Sequence, residues 1–376
     1  MYFTVSIMGK ATVVHVIVDA RMAFHTGIGR YIRNLCQALL AQPSEHTLSL
    51  LLDPLLTQRA QQEIGPTHFI PFSAKIYSLT EQIQSLRLYR TYAKQAVLFH
   101  CPHYNIPWFL PRNSVVTVHD LTHFQFPEYF GKRRATLAFH LLKRAVQRAG
   151  HLITVSQATR YALEAFVPAA KGKTTVIYHG VADQFHPLPA ASIEAFKRTH
   201  HLDRFFLYVG NAKPHKNIQR LLQAFSTVKT RLPQMALVLL GVAPSTLPTA
   251  LERVYIYPNF SDEELTHWYN AAEALVFPSL NEGFGLPVLE AMACGTPVIS
   301  SKIAALHEVV DSSGLLIDPW NVDALARAMQ QLASDADLRA DLRVKGLNRA
   351  QHFSWVTAAQ QTSQVYHDVL SQCRLV

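Results

Sequence analysis

The stretch Asn281-Glu-Gly-Phe-Gly-Leu-Pro-Val-Leu-Glu-Ala-Met-Ala-Cys-Gly-Thr-Pro-Val-Ile-Ser-Ser301 combines a glycine-bearing turn, a helical pattern and a short apolar strand. It places Glu282 and Glu290 eight residues apart. On a single helix that spacing turns two side chains about 80° away from each other. A helix that begins near Pro287 is favoured by the missing proline N–H, and it would leave Glu282 in the preceding loop. Both carboxylates could then face one ligand, although on spacing alone a solvated loop glutamate is an equally good interpretation.

Short apolar runs alternate with helical patterns along the rest of the chain, as in parallel sheets covered by helices on both faces. Strands are predicted near residues 13–18, 48–52, 96–100, 115–119, 152–155, 174–178, 205–209, 236–240, 254–257, 274–277 and 297–300. Helices are predicted at 29–40, 217–230, 262–272 and 288–293. Because 376 residues exceed one ordinary core, we predict two successive doubly wound α/β units, with the boundary between Asp183 and Arg204.

The composition indicates a folded protein of a reducing compartment. A hydrophobic content of 49% with 16% charged residues excludes general disorder. The four cysteines are scattered without paired spacing, which favours free thiols and a cytoplasmic location. The apolar run at 13–18 is short and ends at Asp19, so it predicts a buried strand rather than a signal peptide. No apolar run approaches the roughly 20 residues of a membrane span.

Positive charge is concentrated in the first half of the chain. Residues 1–180 hold 19 Lys and Arg against 8 Asp and Glu, whereas residues 181–376 hold 16 against 18. A basic half suggests an anionic partner. The helical pattern at 131–148, with an apolar stripe among cations, is best explained as a helix packed on a sheet, and an anionic membrane surface is the alternative partner. Nucleic acid is not expected, because no binding motif accompanies the charge.

A basic turn follows the predicted strand at 205–209. The sequence Gly210-Asn-Ala-Lys-Pro-His-Lys-Asn217 leads into a helix and contains Lys213 and Lys216. Two cations and the free N–H groups of a helix start favour the same negative charge. The turn is therefore predicted to hold a diphosphate, and a solvated lysine at a helix start is the simpler alternative.

Two turns of the first half carry further candidates. Gly27 and Gly29 lie where the first predicted strand leads into a helix, and glycine lets backbone approach a ligand without a Cβ in the way. His119 and Asp120 end a predicted buried strand, at the edge of the sheet where ligands of such folds bind. For His119 the alternative is a histidine that only closes the strand.

Two patterns that resemble metal sites have better explanations. His100-Cys-Pro-His103 has no second pair of ligands to complete a four-ligand zinc site. Asp335-Ala-Asp337 matches a short cation-binding pattern but follows Ser334 in a polar helical segment, where a helix cap is the better explanation. No metal site is predicted.

Glu282, Gly283, Phe284, Gly285 and Glu290, followed by residues 293–298, resemble the carboxylate-pair motif of the retaining GT4-type glycosyltransferases, enzymes of the GT-B fold. The resemblance extends over nearly the whole chain. It implies an α/β fold with two Rossmann-like domains whose parallel sheets face each other across a cleft. The acceptor-binding domain would cover residues 1–185 and be joined by a C-terminal crossover helix at about 353–376, and residues 186–352 would bind the nucleotide sugar.

The resemblance also implies roles for the candidate residues. Lys216 would lie against the donor phosphates, His119 near the transferred sugar and Glu282 on its hydroxyls, and these three are the expected catalytic residues. Glu290 would accept hydrogen bonds from the ribose. The expected donor-binding residues are Gly27, Gly29, Gly210, Lys213, Lys216, Gly283, Phe284, Gly285, Leu286 and Glu290.

One feature of the family is missing. Members often carry a phosphate-binding arginine just after the glycine or just before the lysine of the basic turn, where this chain has Asn211 and His215. Lys213 and Arg21 are the candidates to replace it.

By resemblance, the chain is predicted to move a hexosyl group from a nucleoside diphosphate sugar to a hydroxyl of a glycan or lipid-linked acceptor, with retention and without a metal or other cofactor. GDP-mannose is the favoured donor, because the segments 119–121 and 213–217 resemble those of bacterial mannosyltransferases; a UDP-hexose or another sugar stays open. A nucleotide-sugar epimerase, a sugar phosphorylase and an inactive binding protein of the same fold are the alternatives. Polysaccharide biosynthesis on the inner face of the plasma membrane would suit the basic half.

Overall fold

The computed structural model describes residues 14–374 except 26, 43–45, 77, 93–96 and 248–251, and it gives side chains for these residues except 130, 132–134, 373 and 374. Val13 and Ala96, at the starts of two predicted strands, lie outside the described residues, as does the side chain of Cys373. The described residues form two sheets in which every pair of neighbouring strands is parallel.

The strands of the first sheet are β1 (Val14–Asp19), β2 (His46–Leu52), β3 (His68–Pro71), β4 (Val97–Cys101), β5 (Ser114–Val118), β6 (His151–Thr154) and β7 (Thr174–Val176), in the order β3-β2-β1-β4-β5-β6-β7. Those of the second are β8 (Phe205–Val209), β9 (Ala236–Leu240), β10 (Val254–Tyr257), β11 (Ala274–Phe277), β12 (Val298–Ser301) and β13 (Leu315–Ile317), in the order β10-β9-β8-β11-β12-β13. The prediction of two parallel Rossmann-like sheets is confirmed.

The helices are α1 (Gly27–Ala41), α2 (Thr57–Glu63), α3 (Leu79–Tyr92), α4 (Thr122–Gln125), α5 (Pro127–Phe130), α6 (Lys132–Arg148), α7 (Gln157–Phe166), α8 (Ala190–Thr199), α9 (Ile218–Arg231), α10 (Asp262–Ala271), α11 (Leu286–Ala293), α12 (Ala304–Val310), α13 (Val322–Ser334), α14 (Ala336–Ala350) and α15 (Trp355–Arg374). Within the described part of the chain, no helix is both long enough and apolar enough to cross a membrane.

The central strand β8 is buried on both faces, which explains its uninterrupted apolar sequence. Phe205, Leu207 and Val209 pack into one hydrophobic cluster, with residues of α10 and α11. Phe206 and Tyr208 point the other way, into a cluster with residues of α9 and α13. Alternate side chains of a strand face opposite sides of the sheet, so both sides of this sheet are covered by helices.

Strand order reverses beside β1 in the first sheet and beside β8 in the second. Ligands of open α/β sheets bind outside the carboxyl ends of the strands at such a point. At the strand ends, the helix start after β1 and the turns after β5, β8 and β11 carry Gly27, His119, Lys216 and Glu282 respectively. The fold therefore presents the candidate residues at the strand ends where a ligand is expected.

The C-terminal helix returns to the first unit. Val181 pairs with Ser354 in an isolated parallel bridge, and Trp355 and Tyr366 of α15 lie in the hydrophobic cluster that includes α1 and β1. The Tyr366 hydroxyl lies 2.7 Å from His100 Nδ1 of β4. Helix α15 thus packs against the first unit, while the crossover helix and the domain limits 1–185, 186–352 and 353–376 stay a prediction.

Helix α6 packs against the first sheet, in agreement with the favoured interpretation of the helical pattern at 131–148. Leu142, Ala145 and Val146 are buried in a cluster with residues of β5 and β6. Leu137, on the same helix, stays 60% exposed. The apolar stripe is therefore divided between the core and the surface.

Two strands were not predicted from the sequence, β3 and β13. Both are short edge strands with partly exposed residues. They are four and three residues long, so neither forms an apolar run long enough to be recognised in the sequence.

Candidate functional site

Lys216 and Glu282 form a direct ion pair at the ends of two neighbouring strands. Lys216 ends a 3-10 turn after β8, Glu282 lies in the loop after β11, and Lys216 Nζ donates to Glu282 Oε1 over 2.6 Å. Both side chains are largely buried, and Nζ lies 5.3 Å from the centroid of the Phe277 ring. The pair thus offers a fixed cation and a fixed hydrogen-bond acceptor to a polar ligand.

Asn217 holds the turn that carries Lys216. Its backbone is left-handed, with φ +63°, and its Nδ2 donates to the carbonyls of Pro278 (2.9 Å) and Pro319 (2.7 Å). The Leu280 N–H donates to the His215 carbonyl over 2.7 Å. These bonds tie the basic turn to the loop after β11, so Lys216 and Glu282 are positioned together.

His119 lies at the end of β5, as predicted. Its Nε2 lies 2.8 Å from the Pro102 carbonyl, and because a carbonyl only accepts, Nε2 carries the proton and Nδ1 is the accepting nitrogen. Burial lowers the pKa of His119 below its usual value, and the ring packs edge-on against Tyr31 at 4.7 Å. A neutral His119 can therefore accept a hydrogen bond from a sugar hydroxyl.

The Asp120 carboxylate forms its hydrogen bond within its own turn. Its Oδ1 accepts from the Thr122 N–H over 2.9 Å. Burial alone would raise the pKa of Asp120, but the bonds from Thr122 and the nearby His123 bring the pKa below its usual value. Asp120 is thus ionised and holds the loop that follows His119.

Gly283 and Gly285 allow close contacts that larger residues would prevent. A Cβ at Gly283 would lie 1.8 Å from the His119 carbonyl oxygen, across the boundary between the two units. Gly285 precedes α11 with φ +102°, in the region that favours glycine, and a Cβ there would lie 2.5 Å from Leu306. The helix starts at Leu286 with Pro287 in its first turn, as predicted.

Phe284 and Leu286 serve the packing around the site. The Phe284 ring is buried and lies 4.8 Å from the His179 ring and 5.7 Å from Phe353. Leu286 packs against the hydrophobic clusters of both units. Any contact of Phe284 with a donor would therefore be made by its backbone, and this role stays a prediction.

Glu290 lies in the second turn of α11 and is only 1% exposed. One oxygen accepts from Arg30 Nη1 over 2.5 Å and the other from the Tyr269 hydroxyl over 2.9 Å. Arg30 also donates to Asp262 over 2.6 Å. Binding a ribose at Glu290 would require one of these bonds to be exchanged, and the ribose role stays a prediction.

The three remaining glycines have different surroundings. A Cβ at Gly27 would meet no atom within 4 Å, so this position is open to a ligand. A Cβ at Gly29 would lie 2.6 Å from the Ala23 carbonyl oxygen, which makes Gly29 a packing residue. Gly210 begins the basic turn, with its N–H bonded to the Leu240 carbonyl over 2.9 Å.

Of the two candidates to replace the missing arginine, Lys213 is exposed at the basic turn. Arg21 is instead bound within the first unit. It pairs with Asp19 at 2.6 Å and Glu81 at 2.8 Å and lies over the Phe72 ring. Burial opposes its charge, but the two carboxylates raise the pKa of Arg21 above its usual value. Arg21 is therefore a structural residue, and Lys213 is the better candidate.

The contacting residues that the sequence analysis missed include Arg30, Thr159 and Glu308. Arg30 joins α1 to Glu290, Thr159 Oγ1 lies 3.3 Å from the carbonyls of His119 and Gly283, and Glu308 accepts from the first N–H groups of α7. Each acts across the boundary between the units. Only Arg30 had a signal, as a cation just after the glycine turn.

Asp335 is the N-cap of α14 and accepts from the Leu338 N–H over 2.8 Å, which confirms the helix-cap interpretation. Among the described residues, no group of three or more His, Cys, Asp or Glu side chains is arranged to hold a metal ion.

Known proteins match both halves of the chain. The model of Glycosyltransferase Family 4 matches residues 25–185, and that of Glycosyl transferases group 1 matches residues 192–349. The chain is 32% identical over 299 residues to the O-antigen chain mannosyltransferase B of Escherichia coli, a match that covers 76% of each protein. It is 29% identical over 273 residues to the serotype-specific mannosyltransferase WbdA of Escherichia coli, covering 68% of this chain and 33% of that protein.

The fold also has solved counterparts. Sucrose-phosphate synthase from Thermosynechococcus elongatus matches 96% of this chain and 100% of its own, with a TM-score of 0.76 at 22% identity. This likeness shows the GT-B fold, and the sequence matches show the family. The chain therefore belongs to the family 4 glycosyltransferases, GT-B enzymes that transfer a sugar from a nucleotide sugar.

Proposed function

We propose that this glycosyltransferase moves a mannosyl group from GDP-mannose to a hydroxyl of a lipid-linked surface glycan, with retention of the α configuration and without a metal ion. The names of two relatives, the O-antigen chain mannosyltransferase B and the mannosyltransferase WbdA, support the sugar and the class of acceptor. The sequence resemblance of the 213–217 turn to mannosyltransferases supports the same donor.

The observation that carries this proposal is the Lys216–Glu282 pair, with 2.6 Å between Nζ and Oε1. A diphosphate sugar offers phosphate oxygens to Lys216 and hydroxyl donors to Glu282. One ligand can therefore replace both ends of the ion pair. His119 Nδ1 accepts from a further hydroxyl of the sugar, and Lys213 adds a second cation at the phosphates.

The transfer follows from these contacts. The acceptor hydroxyl oxygen bonds to the anomeric carbon as the bond from that carbon to the diphosphate breaks, and the hydroxyl proton passes to the departing phosphate oxygen. Negative charge then grows on the diphosphate, where Lys216 and Lys213 stabilise it. Attack on the face that the diphosphate leaves retains the α configuration.

The alternatives find no support in the relatives. An epimerase or phosphorylase acts without a separate acceptor alcohol, whereas the named relatives are mannosyltransferases. An inactive binding protein is not favoured either, because both named relatives are transferases.

The enzyme acts, we propose, at the cytoplasmic face of the plasma membrane through a basic-aromatic patch of the first unit that contains Trp108, Phe109 and Arg144. Trp108 and Phe109 are each 54% exposed, and the Arg144 guanidinium lies 4.4 Å from the Trp108 ring centroid. The Trp108 N–H bonds to Gln82 of α3 over 2.7 Å. Exposed aromatic residues beside cations suit the interface of an anionic bilayer.

Flotation with liposomes tests this patch. The wild-type protein should float with vesicles that contain anionic lipid at low salt, and replacing Trp108 and Phe109 with Ser should reduce the floated fraction at least several-fold. Leu55→Ser, at a 90% exposed residue outside the patch, is the control. Equal flotation of all three proteins would show that the patch does not face the membrane.

Calorimetric titration with GDP, UDP, ADP and dTDP tests the donor. GDP should bind at least tenfold more tightly than the other three, in buffer with EDTA. Tighter binding of UDP, ADP or dTDP would overturn the assignment of GDP-mannose.

A further inference from the structure

Arg30 joins the two units at the point where the first helix begins. It lies in the first turn of α1, three residues after Gly27. Its Nη1 donates to Glu290 of α11 over 2.5 Å, and its Nη2 donates to Asp262 of α10 over 2.6 Å. One guanidinium of the first unit is therefore shared between two carboxylates of the second.

The two carboxylates differ in their exposure to solvent. The side chain of Glu290 is 1% exposed and that of Asp262 is 45% exposed. A buried carboxylate that loses its cation needs another hydrogen-bond donor in its place, whereas water can hydrate Asp262. Arg30 Nη1 can therefore leave Glu290 when a ligand replaces it there, while Asp262 keeps hold of Nη2.

A nucleoside diphosphate can make this replacement. The predicted ribose contact puts hydroxyl donors on the Glu290 oxygen that Arg30 now holds, because the Tyr269 hydroxyl already holds the other oxygen. The displaced N–H groups of Arg30 would then need a new acceptor. The diphosphate, which is attached to the same ribose, offers anionic oxygens that match a guanidinium. One ligand thus brings a donor to Glu290 and an acceptor to Arg30.

The surroundings of Arg30 leave it charged and accessible. Its side chain is 20% exposed, and a Cβ at the neighbouring Gly27 would meet no atom of the described residues within 4 Å. Burial opposes the charge of Arg30, but Glu290 and Asp262 raise its pKa above the usual value. A phosphate that reaches the start of α1 would therefore meet a cation.

Arg30 also supplies what the basic turn of the second unit lacks. That turn has Asn211 and His215 at the places where an arginine was expected, and its Lys216 is paired with Glu282 over 2.6 Å. A lysine ammonium acts as a point charge, whereas a planar guanidinium can bind two phosphate oxygens side by side. Arg30 would bring this second kind of contact from the opposite unit.

We propose that Arg30 is a donor-binding residue that exchanges Glu290 for the diphosphate when the ribose of the donor takes Glu290. This proposal rests on the transfer from a nucleoside diphosphate sugar proposed above. The diphosphate is then held from two sides, by Arg30 of the first unit and by Lys216 of the second. Asp262 keeps the guanidinium in place during the exchange.

The test compares GDP with guanosine, which has the ribose but no phosphate. Both affinities are measured by calorimetry in EDTA for the wild type, Arg30→Met, Arg30→Lys and the control Arg33→Met. Because the loss of Arg30 alters the ribose contact of Glu290 equally for both ligands, the ratio of the two affinities reports the diphosphate alone.

The ratio of GDP affinity to guanosine affinity should fall at least about tenfold in Arg30→Met. It should fall less in Arg30→Lys, which keeps the charge but not the planar group. Arg33 lies one turn further along α1, 3.8 Å from Asp262, and Arg33→Met should leave the ratio within about twofold.

The outcomes separate this proposal from the previous one. If the wild type prefers GDP but the ratio is unaltered in Arg30→Met, Arg30 does not bind the diphosphate, and the proposed donor stands. An equal gain in affinity for both ligands would mean that Arg30 only blocks Glu290, and would also overturn the proposal. Should Arg30→Met fail to fold, Arg30→Lys decides, since a ratio equal to that of the wild type would contradict the exchange.

The same measurement with UDP and uridine covers a different donor. If the wild type binds UDP more tightly than GDP, the proposed donor is wrong, and the ratio of UDP affinity to uridine affinity decides the role of Arg30. A wild-type protein that binds neither diphosphate better than its nucleoside would overturn both proposals.

Discussion

Lys216 is the residue on which the proposed chemistry depends most. Replacing it with Ala removes the cation that meets the growing charge on the diphosphate, and kcat/KM for transfer should fall about 100- to 1,000-fold, the usual loss for one preorganised donor. Steady-state kinetics with varied donor gives this value. Lys229→Ala, at a surface lysine paired with Glu252, is the matched control and should change kcat/KM less than about twofold. A loss in Lys216→Ala no larger than in the control would remove Lys216 from the mechanism.

Replacing Gly283 with alanine should lower the transfer activity, whereas replacing Gly346 with alanine should raise the stability of the protein. A Cβ at Gly283 would lie 1.8 Å from a backbone oxygen of the other unit, so Gly283→Ala should push the units apart and reduce transfer at least about 100-fold. At Gly346, inside α14, a Cβ would make ordinary contacts of 3.6 Å with Met292. Gly346→Ala should therefore stabilise the protein by about 0.5 to 1 kcal/mol. Activity assays and urea denaturation of both variants provide the comparison, and an active Gly283→Ala enzyme would contradict the close contact.

Single residues also show what the sequence could and could not predict. Glu282 and Lys216 were found because each stands in a short motif beside a recognisable strand end. Their bond joins residues 66 positions apart, and Arg30 reaches Glu290 across 260 positions. Such pairings depend on how the two sheets lie relative to each other, and a local sequence pattern does not determine this. The buried surroundings of Glu290 were missed for this reason.

Helix α12 of the second unit caps the start of α7 in the first unit. Glu308 of α12 accepts from the N–H groups of Gln157 (2.8 Å) and Ala158 (2.7 Å), which begin α7. A carboxylate at a helix N-terminus satisfies free N–H groups and opposes the helix dipole. Glu308→Ala should therefore destabilise the protein by about 1 to 2 kcal/mol.

Urea denaturation and hydrogen exchange check the effect of Glu308→Ala. The amides of Gln157 and Ala158 should lose protection in the variant, and Glu194→Ala, at an exposed glutamate on α8, should leave both measurements unchanged. Undiminished protection at Gln157 and Ala158 would mean that the cap does not hold α7.

The strands whose bounds were predicted correctly have one property in common. β8, β9, β10 and β11 have the bounds that the sequence predicted, because each is an apolar run between clear turn signals. β3 and β13 are only four and three residues long and were missed. Local sequence thus identifies strands that form a distinct apolar run, at the edge of a sheet, as in β10, as well as inside it.

In the whole molecule, a group of buried histidines makes stability depend on pH. Burial lowers the pKa of His100 to about 3 and that of His103 and His215 to about 4, from an unfolded value of about 6.5. Between these values the unfolded chain binds more protons than the folded one, so stability falls as pH falls from about 6.5 towards 4. Each histidine contributes about 1.4 kcal/mol per pH unit.

Urea denaturation at pH 7.5, 6.5, 5.5 and 5.0 measures this dependence. The free energy of unfolding should hold above pH 6.5 and drop steeply below it, and His103→Asn should make the drop shallower. His352→Gln, at an exposed histidine, should leave the slope unaltered. A stability that stays constant or rises between pH 6.5 and 5.0 would contradict the neutral, buried state of these side chains.

Metal-free transfer of mannose with retention leaves a definite product, which one product analysis can identify. Purified enzyme is incubated with GDP-mannose and mannotriose in EDTA, and the new linkage is identified by NMR of its anomeric proton. The proposed mechanism predicts an α-linked mannose in the wild-type reaction and none with Lys216→Ala. A β-linkage, or transfer that appears only when Mn²⁺ is added, would contradict it.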